Sequence, residues 1–288
     1  MGRVSILSIQ SSVAYGHVGN SAAVFPLQRL GIEVWPVITV HFSNHTGYGQ
    51  WRGPLLAADD LREVLTGIEE RGVLGRCEAV LSGYQGAEDV GAVVLDAVQR
   101  VKAANGDAVY CCDPVMGDTG RGFFVRPGIP EFMRDQVIPA ADIATPNHFE
   151  LDFLTGQAER TATMDDVLGA VEQLRSMGPR TVLVTSLVHD GMSEDTLEML
   201  AADDSGAWLV STPLLPVSVN GAGDLTAALF LAHLLESGSA ATALGRTASS
   251  VFAVLDETAR SGEREIQLVA AQEAIAHPDE RFEVTRLR

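Results

Sequence analysis

Asp224 follows two glycines, Gly221 and Gly223, which are separated by Ala222, and it stands at the head of the apolar run Thr226–Leu235. Small residues let main-chain N–H groups converge. Where such a turn opens a helix, the unpaired N–H groups and the positive end of the helix dipole form an anion site. A carboxylate beside a bound phosphate is electrostatically disfavoured unless it has a task. The task open to it is to take the proton of a hydroxyl that attacks phosphorus. Four residues alone would equally suit an ordinary turn with a capping acid, so the rest of the chain decides.

Two further stretches carry oxygen donors: Asp113-Pro114-Val115-Met116-Gly117-Asp118, and Asn147-His148-Phe149-Glu150, which follows Thr145-Pro146. The i, i+3 spacing of Asn147 and Glu150 places an amide and a carboxylate on one side of a first helical turn. Mg²⁺ takes one or two carboxylates together with waters and substrate phosphates. Plainer readings exist, since Asn147 and Glu150 match a helix cap with its acid and Asp113 an Asp-Pro turn. What the stretches share is their place, each directly behind an apolar, β-branched run.

Those runs define the elements that must position the chemistry. Val4–Ile9, Val34–Val40, Glu78–Ser82, Ala108–Cys112, Asp142–Ala144, Thr181–Thr185 and Ala207–Ser211 read as strands. Between them lie helical patterns. One is opened by Asn20 as N-cap; a second is capped by Asp59 or Asp60 and striped by Leu61, Val64, Leu65 and Ile68. A third is striped by Val90, Val94, Ala97 and Val101, and a fourth, striped by Val167, Val171 and Leu174, starts at a Thr163/Asp166 capping box. Thr242–Glu257 and Glu265–His277 complete the helices. Strands alternating with helices imply an α/β fold with a mostly parallel sheet covered on both faces, and no linker divides residues 1–288, so one domain is expected. Ligands of such sheets bind beyond the carboxyl ends of the strands.

Composition narrows the partners. A formal charge of −18, from 38 acidic and 20 basic residues, argues against nucleic-acid and anionic-membrane surfaces. Cys77, Cys111 and Cys112 have no metal-binding spacing and suit a reducing cytoplasm. No apolar stretch reaches membrane-spanning length, so a cytoplasmic protein is expected.

Taken together the motifs resemble a family. Asn147-His148-Phe149-Glu150 resembles the magnesium motif, and Gly221-Ala222-Gly223-Asp224 the anion hole and base, of ribokinase-like kinases. Within that superfamily, Ile9-Gln10-Ser11-Ser12-Val13-Ala14-Tyr15-Gly16-His17-Val18-Gly19-Asn20-Ser21-Ala22-Ala23 and Phe42-Ser43-Asn44-His45-Thr46-Gly47-Tyr48-Gly49 resemble pyridoxal kinases specifically. Leu81-Ser82-Gly83-Tyr84 and Cys112–Asp118 extend the likeness, which runs from Val4 to about Ala276.

The resemblance implies a ribokinase-like three-layer αβα sandwich that phosphorylates the 5′-hydroxyl of pyridoxal with ATP, in vitamin B6 salvage. It implies that Ser11 meets the polar edge of the vitamer ring, that Val18, Val40 and Phe42 line its faces, that Thr46, with Gly47 beside it, meets a ring substituent, and that Tyr84 closes the side. Asp113, Asp118 and Glu150 would organise Mg²⁺ and the phosphates, supported by Thr145 and Asn147. Thr185 and Ser186, and the stretch Thr212, Pro213, Leu214 and Leu215, would face the nucleotide. Gly221, Ala222 and Gly223 would supply N–H groups, and Asp224 would be the base. Thr185-Ser186 stands where some bacterial relatives have a lysine, which shifts weight onto magnesium and a monovalent cation such as K⁺. Some relatives place a reactive cysteine near the substrate aldehyde, but none of Cys77, Cys111 and Cys112 falls in the corresponding loops, so covalent capture of the aldehyde is not expected. A homodimer is implied as well. Another small-alcohol kinase, such as a hydroxymethylpyrimidine kinase, and a vitamer-binding protein without turnover are the alternatives.

Overall fold

The computed structural model describes residues 4–157 and 161–288. In chain order the elements are β1 (Ser5–Val13), α1 (Asn20–Arg29), β2 (Glu33–Phe42), α2 (Ala58–Glu69), β3 (Ala79–Ser82), α3 (Glu88–Ala104) and β4 (Val109–Cys112). A small ribbon follows, β5 (Gly117–Asp118) with β6 (Gly122–Phe123), then α4 (Ile129–Phe132), β7 (Ile143–Ala144), α5 (His148–Leu154) and α6 (Met164–Met177). The remainder is β8 (Thr181–Leu187), β9 (Thr196–Asp203), β10 (Gly206–Pro213), α7 (Ala222–Ser237), α8 (Ala240–Ser261), α9 (Gln272–Ala276) and β11 (Val284–Arg286).

The main sheet has the order β11-β10-β9-β8-β7-β4-β3-β1-β2. From β2 to β8 every pairing is parallel, and β9, β10 and β11 add on antiparallel. Helices cover both faces, as the alternation of elements required. Leu61 and Leu65 of α2, Val94 and Val101 of α3, and Val167, Val171 and Leu174 of α6 fill one interlayer core. Leu27 of α1, Phe230 and Leu231 of α7, and Leu244 of α8 fill the other. The result is the three-layer αβα arrangement. Among the described residues no helix is long and apolar enough to cross a membrane.

The structure departs from the sequence-based expectation in four places. Asn20 does not cap α1, whose N-cap is Gly19 in a positive-φ conformation. The Asn20 amide is instead buried between β1 and β2, donating to the carbonyls of Gln10 (3.2 Å) and Val37 (3.1 Å) and accepting from Ser8 Oγ (2.7 Å). That support lets β1 run on through polar Gln10, Ser11 and Ser12, past a register shift, to Val13. Neither Asp59 nor Asp60 caps α2, which starts after Ala57; both lie in its first turn, where the helix dipole favours them. Val64 is half exposed, outside the buried stripe of that helix. Only Gln272–Ala276 of the expected Glu265–His277 helix is helical. By contrast, the capping box at Thr163 and Asp166 is present in full.

Candidate active site

A cavity of about 770 Å³ opens where the parallel strands end, and each strand delivers residues to it. Ser11 and Val13 come from β1, Val40 and Phe42 from β2, Tyr84 from just beyond β3, Asp113 from beyond β4, Thr145 and Asn147 from beyond β7, and Thr185 and Ser186 from the end of β8. Helix α7 points its first turn at the same space, lining it with Gly221, Ala222, Gly223 and Asp224. A second chamber of about 270 Å³ adjoins the first and shares Asp118, Arg121, Thr185, Ser186, Ala222 and Gly223 with it. Thr212, Pro213, Leu214 and Leu215 line this second chamber.

The glycine turn folds as its composition requires. Gly221 caps α7 with φ 89°, in the left-handed region that favours glycine. The first intrahelical bond is from Leu225 N to Gly221 O at 2.9 Å, so the N–H groups of Ala222, Gly223 and Asp224 have no partner within the helix. Burial pushes the Asp224 carboxyl up to about 6, against the opposing pull of the N–H groups of Gly19 and of Asp224 itself. Such a group is poised to change protonation just below neutral pH.

The acids at the other strand ends are mutually close. Asp113 is buried, and its carboxyl is raised well above the carboxylate range, first by burial and then by the charges of Glu150 and Asp224. Thr145 Oγ1 donates to it at 3.3 Å. Burial pushes Glu150 up to about 8, and the charge of Asp118 adds to that shift. Asn147 and Glu150 do form a reciprocal capping box on α5. Glu150 accepts from Asn147 N (2.9 Å) through one oxygen and from Met116 N (2.8 Å) through the other. The plain capping geometry and a place in the cavity wall therefore coexist. Asn147 also donates to Gly117 O at 2.8 Å, fixing the ribbon that carries Asp118. Among the described residues no three His, Cys, Asp or Glu side chains converge as a closed cage for a metal ion.

At the opposite end the walls turn apolar. Val18, Val40, Phe42 and Tyr84 face the cavity with Ser11 and Thr46. A Cβ on Gly19 would fall 2.3 Å from Ser11 Oγ, so this glycine permits the Val18–Gly19 turn to close on Ser11. Of the expected residues Gly47 alone is outside the lining of both chambers. It sits in a short 3₁₀ turn, Thr46–Tyr48, and its carbonyl accepts from Arg264 at 2.5 Å.

Comparison with known proteins settles the family. The family model described as phosphomethylpyrimidine kinase matches residues 75–268. A pyridoxal kinase PdxY of Rubrobacter xylanophilus is 66% identical over 287 residues, covering 99% of this chain and 98% of the relative. A pyridoxal kinase PdxY of Leifsonia xyli is 61% identical over 284 residues, covering 99% of this chain and 100% of the relative. The chain belongs to the pyridoxal kinase family. Among solved structures, pyridoxal kinase of Leishmania donovani in complex with ADP and pyridoxine superposes with a TM-score of 0.91 at 29% identity, covering 99% of both chains.

Beside the residues that the pyridoxal kinase motifs point to, the cavity is lined by several that the motifs missed. Trp51 and Leu55 are brought in because the chain after β2 folds back on it, with Val40 bridging Leu55 and Ser43 N donating to Arg52 O. The β5–β6 ribbon and the segment after it add Arg121, Phe124 and Arg126, and Arg121 lines both chambers. Among the described residues these two arginines are the only Lys or Arg side chains in the lining. Ser186 carries one visible signal of its own. It is the sole non-glycine with positive φ (51°) among the described residues, at an irregularity in β8, and such strain concentrates at functional sites.

Proposed function

We propose that this chain transfers the terminal phosphoryl group of ATP to the 5′-hydroxyl of pyridoxal, giving pyridoxal 5′-phosphate and ADP. The observation that carries the proposal is the placement of the two adjoining chambers. The first runs from Ser11, Val18 and Phe42 to Asp224 and the N–H groups of the α7 turn, and it shares Asp118, Arg121, Thr185, Ser186, Ala222 and Gly223 with the second, at Thr212–Leu215. A pyridine alcohol fits the first end, where apolar walls hold the ring and Ser11 and Thr46 offer polar contacts. Val40 and Tyr84 flank it. The terminal phosphoryl group falls at the α7 turn, where N–H donors stabilise the charge that develops on its oxygens. Asp224, beside that turn, takes the proton of the attacking hydroxyl. Thr185, Ser186, Thr212, Pro213, Leu214 and Leu215 receive the rest of the nucleotide.

The acid cluster suits a hard divalent cation. Asp113 and Glu150 oppose each other's charge, and a site with few carboxylates suits Mg²⁺, which completes its shell with water and phosphate. Asp113, Asp118 and Glu150 would hold it, with Thr145 and Asn147 in support. Magnesium bound there would neutralise phosphate charge during transfer. The same reading treats residues 1–288 as one kinase domain, in the cytoplasm, acting as a homodimer.

A coupled assay tests the proposal directly, with pyridoxal, pyridoxine and pyridoxamine as acceptors, with and without Mg²⁺ and K⁺. Pyridoxal-dependent ADP formation that needs Mg²⁺ is the expected result. ATP consumption that pyridoxal fails to stimulate defeats it and leaves a vitamer-binding protein. Because the matching family model is described as phosphomethylpyrimidine kinase, hydroxymethylpyrimidine belongs in the acceptor panel; preference for it would reassign the substrate.

A further inference from the structure

Glu265 lies in the loop between α8 and α9, remote in sequence from every motif above, yet its side chain is buried against the cavity wall. One carboxylate oxygen accepts from Tyr48 OH (2.7 Å) and from His45 Nε2 (2.9 Å). The other accepts from His17 N at 3.1 Å. A carboxylate only accepts, so His45 Nε2 is the donor in this pair. Gly16 makes room for this arrangement: it has φ +92°, and a Cβ there would fall 2.2 Å from a Glu265 oxygen.

The neighbours of Glu265 complete a clasp. Arg264 donates to Gly47 O and stacks over the Tyr48 ring, its guanidinium carbon 3.8 Å from the centroid. Ile266 reaches Gly221, where a Cβ would lie 3.2 Å from its Cδ1 and 1.8 Å from His17 O. Three consecutive residues thus touch both the His45–Tyr48 turn, which lines the apolar end of the cavity with His45 and Thr46, and the backbone at the start of the anion turn.

We propose that Glu265 is a positioning residue for phosphoryl transfer, fixing the vitamer-side turn at His45–Tyr48 relative to the anion turn at Gly221 through His17. The inference rests on the kinase reading above. Its chemistry is that of register. Transfer needs the attacking oxygen about 3–3.5 Å from phosphorus and in line, and displacement by about 1 Å costs on the order of a hundredfold in rate. The Glu265 carboxylate satisfies three donors at once. A glutamine amide presents an N–H group to one of them and breaks the set. The hydrogen bonds from Tyr48, His17 and His45 outweigh the opposing effect of burial and hold the Glu265 carboxyl below its ordinary value, so it is a carboxylate at neutral pH.

The test compares wild type with Glu265→Gln and Tyr48→Phe in steady-state kinetics, with ADP and pyridoxal affinities from calorimetry. The expected result for Glu265→Gln is a pyridoxal KM raised and a kcat lowered by roughly tenfold each, with ADP affinity within twofold of wild type. Tyr48→Phe should move the same parameters less, and the double variant should be non-additive. A merely structural glutamate would weaken ADP and pyridoxal binding together. That pattern, or wild-type kinetics in Glu265→Gln, overturns the inference. If Glu265→Gln does not fold, Tyr48→Phe decides by the same criteria. Wild-type protein that fails to phosphorylate pyridoxal would instead overturn the function, while the pyridoxal affinities of the variants still judge the clasp.

Discussion

The carbonyl oxygen of His17 sits directly on the α-carbon of Gly221: a Cβ at residue 221 would lie 1.8 Å from it. The contact joins the loop after β1 to the first residue of the anion turn. Gly221 is also held at φ 89°, so alanine there is both strained and in collision. Gly223 differs, with open space around its α-carbon and no positive φ. The pair separates folding from chemistry. Gly221→Ala should displace the turn, lowering kcat by about a hundredfold or more and reducing Tm. Gly223→Ala should keep or raise Tm, since alanine favours a helix by about 0.5–1 kcal/mol over glycine. Gly223 lines the cavity, so on the proposed placement of the phosphoryl group at this turn the added methyl group should raise the ATP KM. Thermal melts beside a coupled assay check both; equal effects of the two substitutions on Tm would contradict the contact.

Asp224→Asn removes the proposed base while keeping its size. A loss in kcat of about a hundredfold to ten-thousandfold is expected, the usual worth of general base catalysis. In wild type kcat/KM should climb with pH through about 6, where the carboxyl loses its proton, and level off above; in Asp224→Asn the climb should vanish. The linked stability has the opposite direction. A carboxyl raised in the folded state holds its proton longer than in the unfolded chain, so its contribution is present at low pH and is lost as pH rises through about 6. Above that pH the asparagine variant should melt higher than wild type. A wild-type rate profile flat between pH 5 and 7, as an order-of-magnitude window around that value, would remove Asp224 from the role of base.

Arg121 carries the third expectation. It lines both chambers, and its main-chain N–H donates to Asp118 O at 3.2 Å in the turn between β5 and β6. In a chain of net charge −18, with four acids in the cavity lining, a guanidinium there can offset the charge of a polyphosphate. Arg121→Ala should raise the ATP KM by roughly tenfold, the scale of one or two charge-assisted hydrogen bonds, and leave the pyridoxal KM within twofold. Arg121→Lys should recover part of the loss. An unchanged ATP KM in Arg121→Ala would show that the ribbon serves only as wall.

Asp113, Asn147, Glu150 and Asp224 were legible because each directly follows an apolar run or opens a helix, so topology alone gathers them at one sheet edge. The stripes on α3 and α6 were legible for the same local reason. Other features were not, because long-range contacts decide them. Asn20 has the composition of a cap but spends its amide on β1 and β2. Thr196–Asp203, rich in Leu, Met and Ala, reads as no clear strand, yet pairs between β8 and β10. Glu265 heads an apparent helical pattern but lies before the helix, Gln272–Ala276, with its carboxylate accepting from His17, His45 and Tyr48. Arg121 belongs to a two-residue-per-strand ribbon whose pairing has no periodicity to detect.

His233 offers a test of stability away from the cavity. It is buried in α7, and neither ring nitrogen has a hydrogen-bond partner among the described residues. Burial, with help from the charge of Arg246, drives its pKa down to about 4. A histidine held below its unfolded value contributes stability above that unfolded value, near 6.5, and loses it as pH falls toward about 4. Leucine has a similar volume and no polar atoms, so His233→Leu removes the desolvation penalty of an unpaired imidazole, about 1–3 kcal/mol for a buried polar group. The variant should melt several degrees above wild type at neutral pH, since 1 kcal/mol shifts Tm by about 2–4 °C in a chain of this size. Because wild type alone must also protonate this ring on unfolding in acid, the gap in Tm should widen from pH 7 to pH 5. A gap that is negative, or that narrows over that range, would mean that the imidazole is paired in solution.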